Sequence, residues 1–164
     1  MRLFELVRNM ETDFPELKMT YEYPVDFNDF EDDESAESIN DVGVYFFEID
    51  KAMVEKCYVV ARNSKRELED QLGAMLLSSG DDKQCFPKKK QLATFLLMFD
   101  ADEFFLLHNH PSGNVEWSDA DLEWNEDMKM LAETIDIPLI DNVIVTRKGY
   151  SSLMTREKVY RDEE

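Results

Sequence analysis

The stretch "EFFLLHNHPSG", residues 103–113, constrains the chain more than any other. An apolar run that ends in His-Asn-His and is broken by Pro111 and Gly113 predicts a buried strand whose polar end emerges at the rim of a sheet. Side chains alternate along a strand, so Phe104, Leu106, His108 and His110 share one face, and Phe105, Leu107 and Asn109 share the other. These are the only two histidines in 164 residues. Two imidazoles on one face can hold a single cation through their ring nitrogens, with a carboxylate as third ligand and water in the fourth position. Asp121 is the expected third ligand, because the turn after Pro111 is long enough to fold the next helix start back over the strand end. The plainer reading makes the histidines structural and Ser118 with Asp121 a capping box. Spending both histidines at alternate positions of one strand favours the cation. Ser118 fits two purposes, capping the helix and donating to a developing oxyanion. Three protein ligands with one open position is the pattern by which zinc lowers the pKa of water to about 7.

Elsewhere the hydrophobic pattern divides the chain into two parts. In residues 1–41, Leu3, Phe4 and Val7 predict a short amphipathic helix, and "DFNDFEDDESAESIND" (26–41) predicts an acidic extension or linker. From Val42 onward, "VGVYFFEI" (42–49) and "KCYVVAR" (56–62) predict an antiparallel pair of strands. Ser64 and Glu67 have capping-box spacing before Leu68, Leu72, Met75 and Leu76, which predicts a helix. Pro87 opens a second helix through Leu92, Phe95, Leu96 and Phe99. A third runs over about 118–135 through Trp124, Met128, Leu131 and Ile135. "LIDNVIVT" and "RKGYSSL" then predict a closing hairpin around Gly149. Trp117, beside the histidine motif, reads first as core packing and second as a substrate contact.

Charge narrows the class of partner. With 18 basic and 37 acidic residues the formal net charge is −19, which repels phosphate backbones and anionic membranes within a Debye length. Bulk nucleic-acid binding is not expected. The local basic groups Lys88, Lys89, Lys90, Arg147 and Lys148 read as a solvated helix start and a hairpin tip. Cys57 and Cys85 fit no metal or redox spacing and read as reduced thiols. No run approaches the roughly 18 apolar residues of a membrane span, so a cytoplasmic protein is expected.

The spacing His108-x-His110-x7-Ser118-x2-Asp121 resembles the JAMM motif of JAB/MPN metallopeptidases. "HNHPSG", with the helix and strand before it and the hairpin after it, is similar to the bacterial RadC family over roughly residues 42–153. The stretch "SKRELEDQLGAMLLSSGDD" looks like an insertion relative to that family. The resemblance implies an α+β fold of JAB/MPN (cytidine-deaminase-like) type, a curved mixed sheet flanked by helices, over residues 42–164. It also implies one zinc ion on His108, His110 and Asp121, with Ser118 at the oxyanion. The activity implied is cleavage of a peptide or isopeptide bond. JAMM enzymes add an upstream glutamate as general base. Asp41 stands nearest the expected place, with Glu37 and Glu48 as alternatives. Two further readings stand beside the hydrolase: an acidic interaction module for a basic partner, and the DNA-repair role attached to the family's name. The substrate and the oligomeric state are not encoded in any motif.

Overall fold

The computed structural model describes residues 1–24, 36–80 and 86–162. Its strands are β1 (Arg2–Arg8), β2 (Pro15–Glu22), β3 (Glu55–Arg62), β4 (Leu72–Gly80), β5 (Glu103–Asn109), β6 (Leu139–Thr146), β7 (Gly149–Ser152) and β8 (Lys158–Tyr160). They form one sheet in the order β2-β1-β4-β3-β5-β6-β7-β8. The sheet is mixed, with β1–β4 and β5–β6 parallel and the other neighbours antiparallel.

Its α-helices are α1 (Ala36–Asp41), α2 (Lys89–Phe99) and α3 (Asp119–Ile135). Leu92, Phe95 and Phe99 of α2 and Trp124 and Met128 of α3 bury one face of the sheet against Val59 and Leu106. Ile39 of α1 and Val42 bury the opposite face against Val60, Leu107 and Val145. Cover on both faces explains why β3, β5 and β6 read as nearly continuous apolar runs. Each large side chain so buried contributes roughly 1.5–3 kcal/mol. The expected mixed, helix-flanked sheet is therefore the fold observed, and α2, β5, α3 and the β6–β7 hairpin lie where the pattern puts them. No helix among the described residues is long and apolar enough to cross a membrane.

Three elements differ from expectation. Leu3, Phe4 and Val7 lie on a strand, because β1 pairs with β2 on one side and β4 on the other. Its two edges find partners, and Phe4 and Leu3 serve opposite cores. Residues 42–49 form no strand: Val42–Phe46 is a π-helical turn continuing α1, followed by a 3-10 turn at Ile49–Lys51. Packing overrides β propensity there. A Cβ on Gly43 would come within 2.9 Å of Leu107 Cδ1, so this turn lies directly on the sheet. Leu72, Met75 and Leu76 belong to strand β4 rather than to a helix. Both the Ser64 amide and its hydroxyl bond to Asp102 instead of capping one. The stretch read as an insertion thus supplies β4, between β1 and β3 in the sheet. Of the acidic segment 26–41, residues 26–35 lie outside the described residues and 36–41 form α1. Cys85 also lies outside them, while Cys57 is buried in the core.

Candidate metal centre

Two local devices bring the site together. β5 carries His108 out of the core, and the chain then turns tightly, with the Gly113 amide donating to the His110 carbonyl at 2.9 Å. Gly113 has φ +82°, a conformation that favours glycine. The Ser151 hydroxyl holds the returning loop by donating to the buried Val115 carbonyl at 2.6 Å. α3 then starts with the expected capping box: the Asp121 amide donates to Ser118 Oγ at 3.1 Å, and the Ser118 amide donates to Asp121 Oδ2 at 2.7 Å. Asp121 is thereby turned back toward the strand end. His108 Nε2 lies 3.2 Å from Asp121 Oδ1, and His110 Nε2 lies 3.4 Å from Asp121 Oδ2. One ligand atom from each of the three residues fits within a 4.8 Å cluster.

The electrostatics of this cluster suit a cation or a shared proton. His110 Nδ1 lies 2.9 Å from the Asn114 carbonyl, which can only accept, so a neutral ring carries its proton on Nδ1 and turns a bare Nε2 lone pair toward the carboxylate. Lone pairs converge there, and either a proton or a metal must lie between them. Burial pulls the His110 pKa down, but the hydrogen-bonded Asp121 carboxylate and the Asn114 carbonyl together hold it above its ordinary value. Burial likewise opposes ionisation of Asp121, yet its contacts with both imidazoles keep its carboxyl well below the usual carboxylate range. His108 is packed edge-on against Trp124 at 5.6 Å, and its buried Nδ1 has no hydrogen-bond partner among the described residues. Two nitrogens and one carboxylate, with His110 and Asp121 lining a cleft of about 730 Å³, fit a catalytic zinc-type donor set.

Ser118 lines the same cleft, but its hydroxyl donates to Asp121 Oδ2 at 2.9 Å. That bond, with the cap, fixes the orientation of the Asp121 carboxylate. Trp117 also lines the cleft, under the Lys158 ammonium at 4.1 Å from its ring centroid, rather than filling a core.

The expected bases do not reach the site. Glu37 and Asp41 lie on α1, which packs on the face of the sheet opposite His108. Glu48 stands just before the 3-10 turn and pairs with Lys51 at 3.1 Å. The acid that lies beside the cluster is Glu55. Cys57 stands opposite His108 in the antiparallel β3–β5 pair, so two residues further Glu55 faces His110, and opposed residues share a face. Glu55 lines the cleft beside His110 and adds to the charge that raises the His110 pKa. The only sequence signal for it was an acid at the start of "EKCYVV", two residues before Cys57. That signal became legible only with the strand register.

A family model described as "RadC-like JAB domain" matches residues 36–159. A "UPF0758 protein" of Trichodesmium erythraeum (strain IMS101) is 29% identical over 108 residues, 66% of this chain and 43% of the relative. One of Finegoldia magna (strain ATCC 29328 / DSM 20472 / WAL 2508) is 26% identical over 117 residues, 71% of this chain and 50% of the relative. The chain thus spans half or less of the length of these relatives. The matched region contains Glu55 and the whole His108, His110, Ser118 and Asp121 constellation, and the chain belongs to the RadC-like JAB domain family.

Proposed function

We propose that the chain is a zinc-dependent hydrolase of the JAMM class, acting on a peptide or isopeptide bond. The observation that carries this reading is the convergence of two imidazole nitrogens and a carboxylate at an open cleft with a second carboxylate, Glu55, beside them. His108, His110 and Asp121 would hold the metal. A bound zinc ion would supply Lewis acidity and make water a nucleophile near neutral pH. Glu55 would take the proton from that water and hand it to the leaving amine, ordinary general acid and base work. Met53, Phe86, Pro111 and Trp117 give the cleft apolar walls that suit a polypeptide segment. The alternative, an acidic interaction module for a basic partner, draws on the net charge of −19 and on the lack of a clear upstream glutamate in the sequence; Glu55 beside His110 favours the hydrolase.

The test is turnover of peptide and isopeptide-linked substrates by zinc-loaded protein, with Glu55→Gln in parallel. The reading predicts that Glu55→Gln binds zinc as the parent does but loses about 10²–10⁴ in rate. Equal turnover in the two proteins would remove Glu55 from the chemistry.

A further inference from the structure

Basic residues cluster at two places in this acidic chain, Lys88, Lys89 and Lys90 at the start of α2 and the last hairpin. Residues 147–161 contain Arg147, Lys148, Arg156, Lys158 and Arg161, five of the chain's 18 basic residues, and a single one of its 37 acids, Glu157. This hairpin carries the loop that walls the cleft. A Cβ on Gly113 would lie 3.4 Å from Arg147 Nε and 3.5 Å from Lys148 Cδ, which puts the β6–β7 turn against the loop three residues after His110. Further along, Arg156 stands over the Trp117 ring at 5.4 Å from its centroid.

These cations divide into two sets. Lys158 is neutralised by Glu116, and Arg161 spends its guanidinium on the Thr146 carbonyl at 2.8 Å and Asn40 Oδ1 at 2.9 Å. Arg147, Lys148 and Arg156 are exposed, and none has a carboxylate partner among the described residues. Three cations without a carboxylate partner, one of them over the Trp117 ring, therefore stand against the Gly113–Trp117 loop that borders the cleft, whereas Met53, Glu55 and Phe86 line it elsewhere.

From this we infer that Arg147, Lys148 and Arg156 form a docking rim for an acidic polypeptide segment, so that the protein selects substrates with carboxylates next to the bond presented to the cleft. The substrate part of the inference rests on the hydrolase reading; the docking part does not. Charge complementarity chooses the occupant. Beyond about 8–10 Å the cations are screened, so the rim attracts a ligand only at short range, over two or three residues. A short acidic segment fits that reach. A nucleic acid does not, because its affinity grows with the number of phosphates neutralised and its chain would run from the rim onto acidic surface.

The experiment is an NMR titration of the isotopically labelled, metal-free protein with three probes: a ten-residue Glu/Ser peptide, a Lys/Ser peptide of equal length and a single-stranded decanucleotide. Shifts from the Glu/Ser peptide are expected at Gly113, the Trp117 indole and residues 147–149. Its affinity should fall at least threefold between 20 and 200 mM salt, and at least fivefold in Arg147→Glu/Lys148→Glu/Arg156→Glu protein. The inference is overturned if the Lys/Ser peptide produces the same shifts, if the triple variant binds the Glu/Ser peptide as the parent does, or if the decanucleotide binds more tightly than the Glu/Ser peptide. Because the probes are read without metal, a failed rim and a failed hydrolase reading give separate results.

Discussion

Asn109 grips the backbone at Lys56 and Val54, the two neighbours of Glu55: its Oδ1 accepts from the Lys56 amide at 2.6 Å, and its Nδ2 donates to the Val54 carbonyl at 3.0 Å. The asparagine between the two histidines thus continues the β3–β5 ladder with its side chain and fixes the residue that faces His110. Its side chain replaces backbone pairing at the strand end.

Asn109→Ala leaves those two backbone groups without their partner, at a cost of about 1–3 kcal/mol if they stay dry. Thermal unfolding should register that loss. Turnover should fall further than in a core variant of equal destabilisation, because Glu55 loses its anchor, while zinc affinity stays within about threefold. A parallel loss of zinc affinity would mean that Asn109 supports the ligands rather than Glu55.

The titration of the metal-free centre gives stability a defined pH dependence. Asp121 has a folded-state pKa below its unfolded value, so its contribution is present above the ordinary carboxylate pKa and is lost as pH falls toward the lowered one. His110 has a raised pKa, so its contribution is full below the ordinary imidazole value and is lost as pH rises through the raised one. Denaturant unfolding of metal-free protein between pH 4.5 and 8.5, compared with His110→Gln, should show the parent's advantage shrinking on the alkaline side. Zinc affinity should move the opposite way and weaken as His110 takes up its proton. A difference profile that is flat with pH would contradict the assigned shift.

Asn125 stands one turn after Asp121 on α3, fully buried, and its Oδ1 accepts from Asn142 Nδ2 at 3.1 Å. Asn142 pairs in register with Leu106, two residues before His108. This polar link in an apolar interface sets how α3 sits on the strand that bears the histidines. Asn142→Leu alone leaves Asn125 Oδ1 without its donor, at a cost of about 1–3 kcal/mol. Replacing both by leucine should be close to neutral for stability, yet weaken zinc binding by about tenfold. Zinc titration with thermal unfolding separates the two effects, and unchanged affinity in the double variant would reduce the link to packing.

The sequence carried the metal centre more clearly than the rest of the site. His108, His110, Ser118 and Asp121 lie within one strand, one turn and one helix start, where alternation and capping rules act locally. Glu55 is 53 residues before His108, and its relation to His110 exists only through the β3–β5 register, which no local pattern encodes. The misread elements share that cause. "VGVYFF" has β propensity, but Val42 and Gly43 are buried against Leu107 and Val145, so packing selects a helical turn. Leu72, Met75 and Leu76 fit a helical spacing as well as a strand, and the pairing with β3 and β1 decides between them.

The most direct test of the centre is the zinc content of protein purified without chelator, measured beside His108→Ala and Asp121→Ala. About one zinc per chain in the parent, with little in either variant, is the result predicted from the three converging ligands. A parent that holds no divalent metal and gains none when zinc is supplied at neutral pH would contradict it, leaving the two histidines as partners of Asp121 alone.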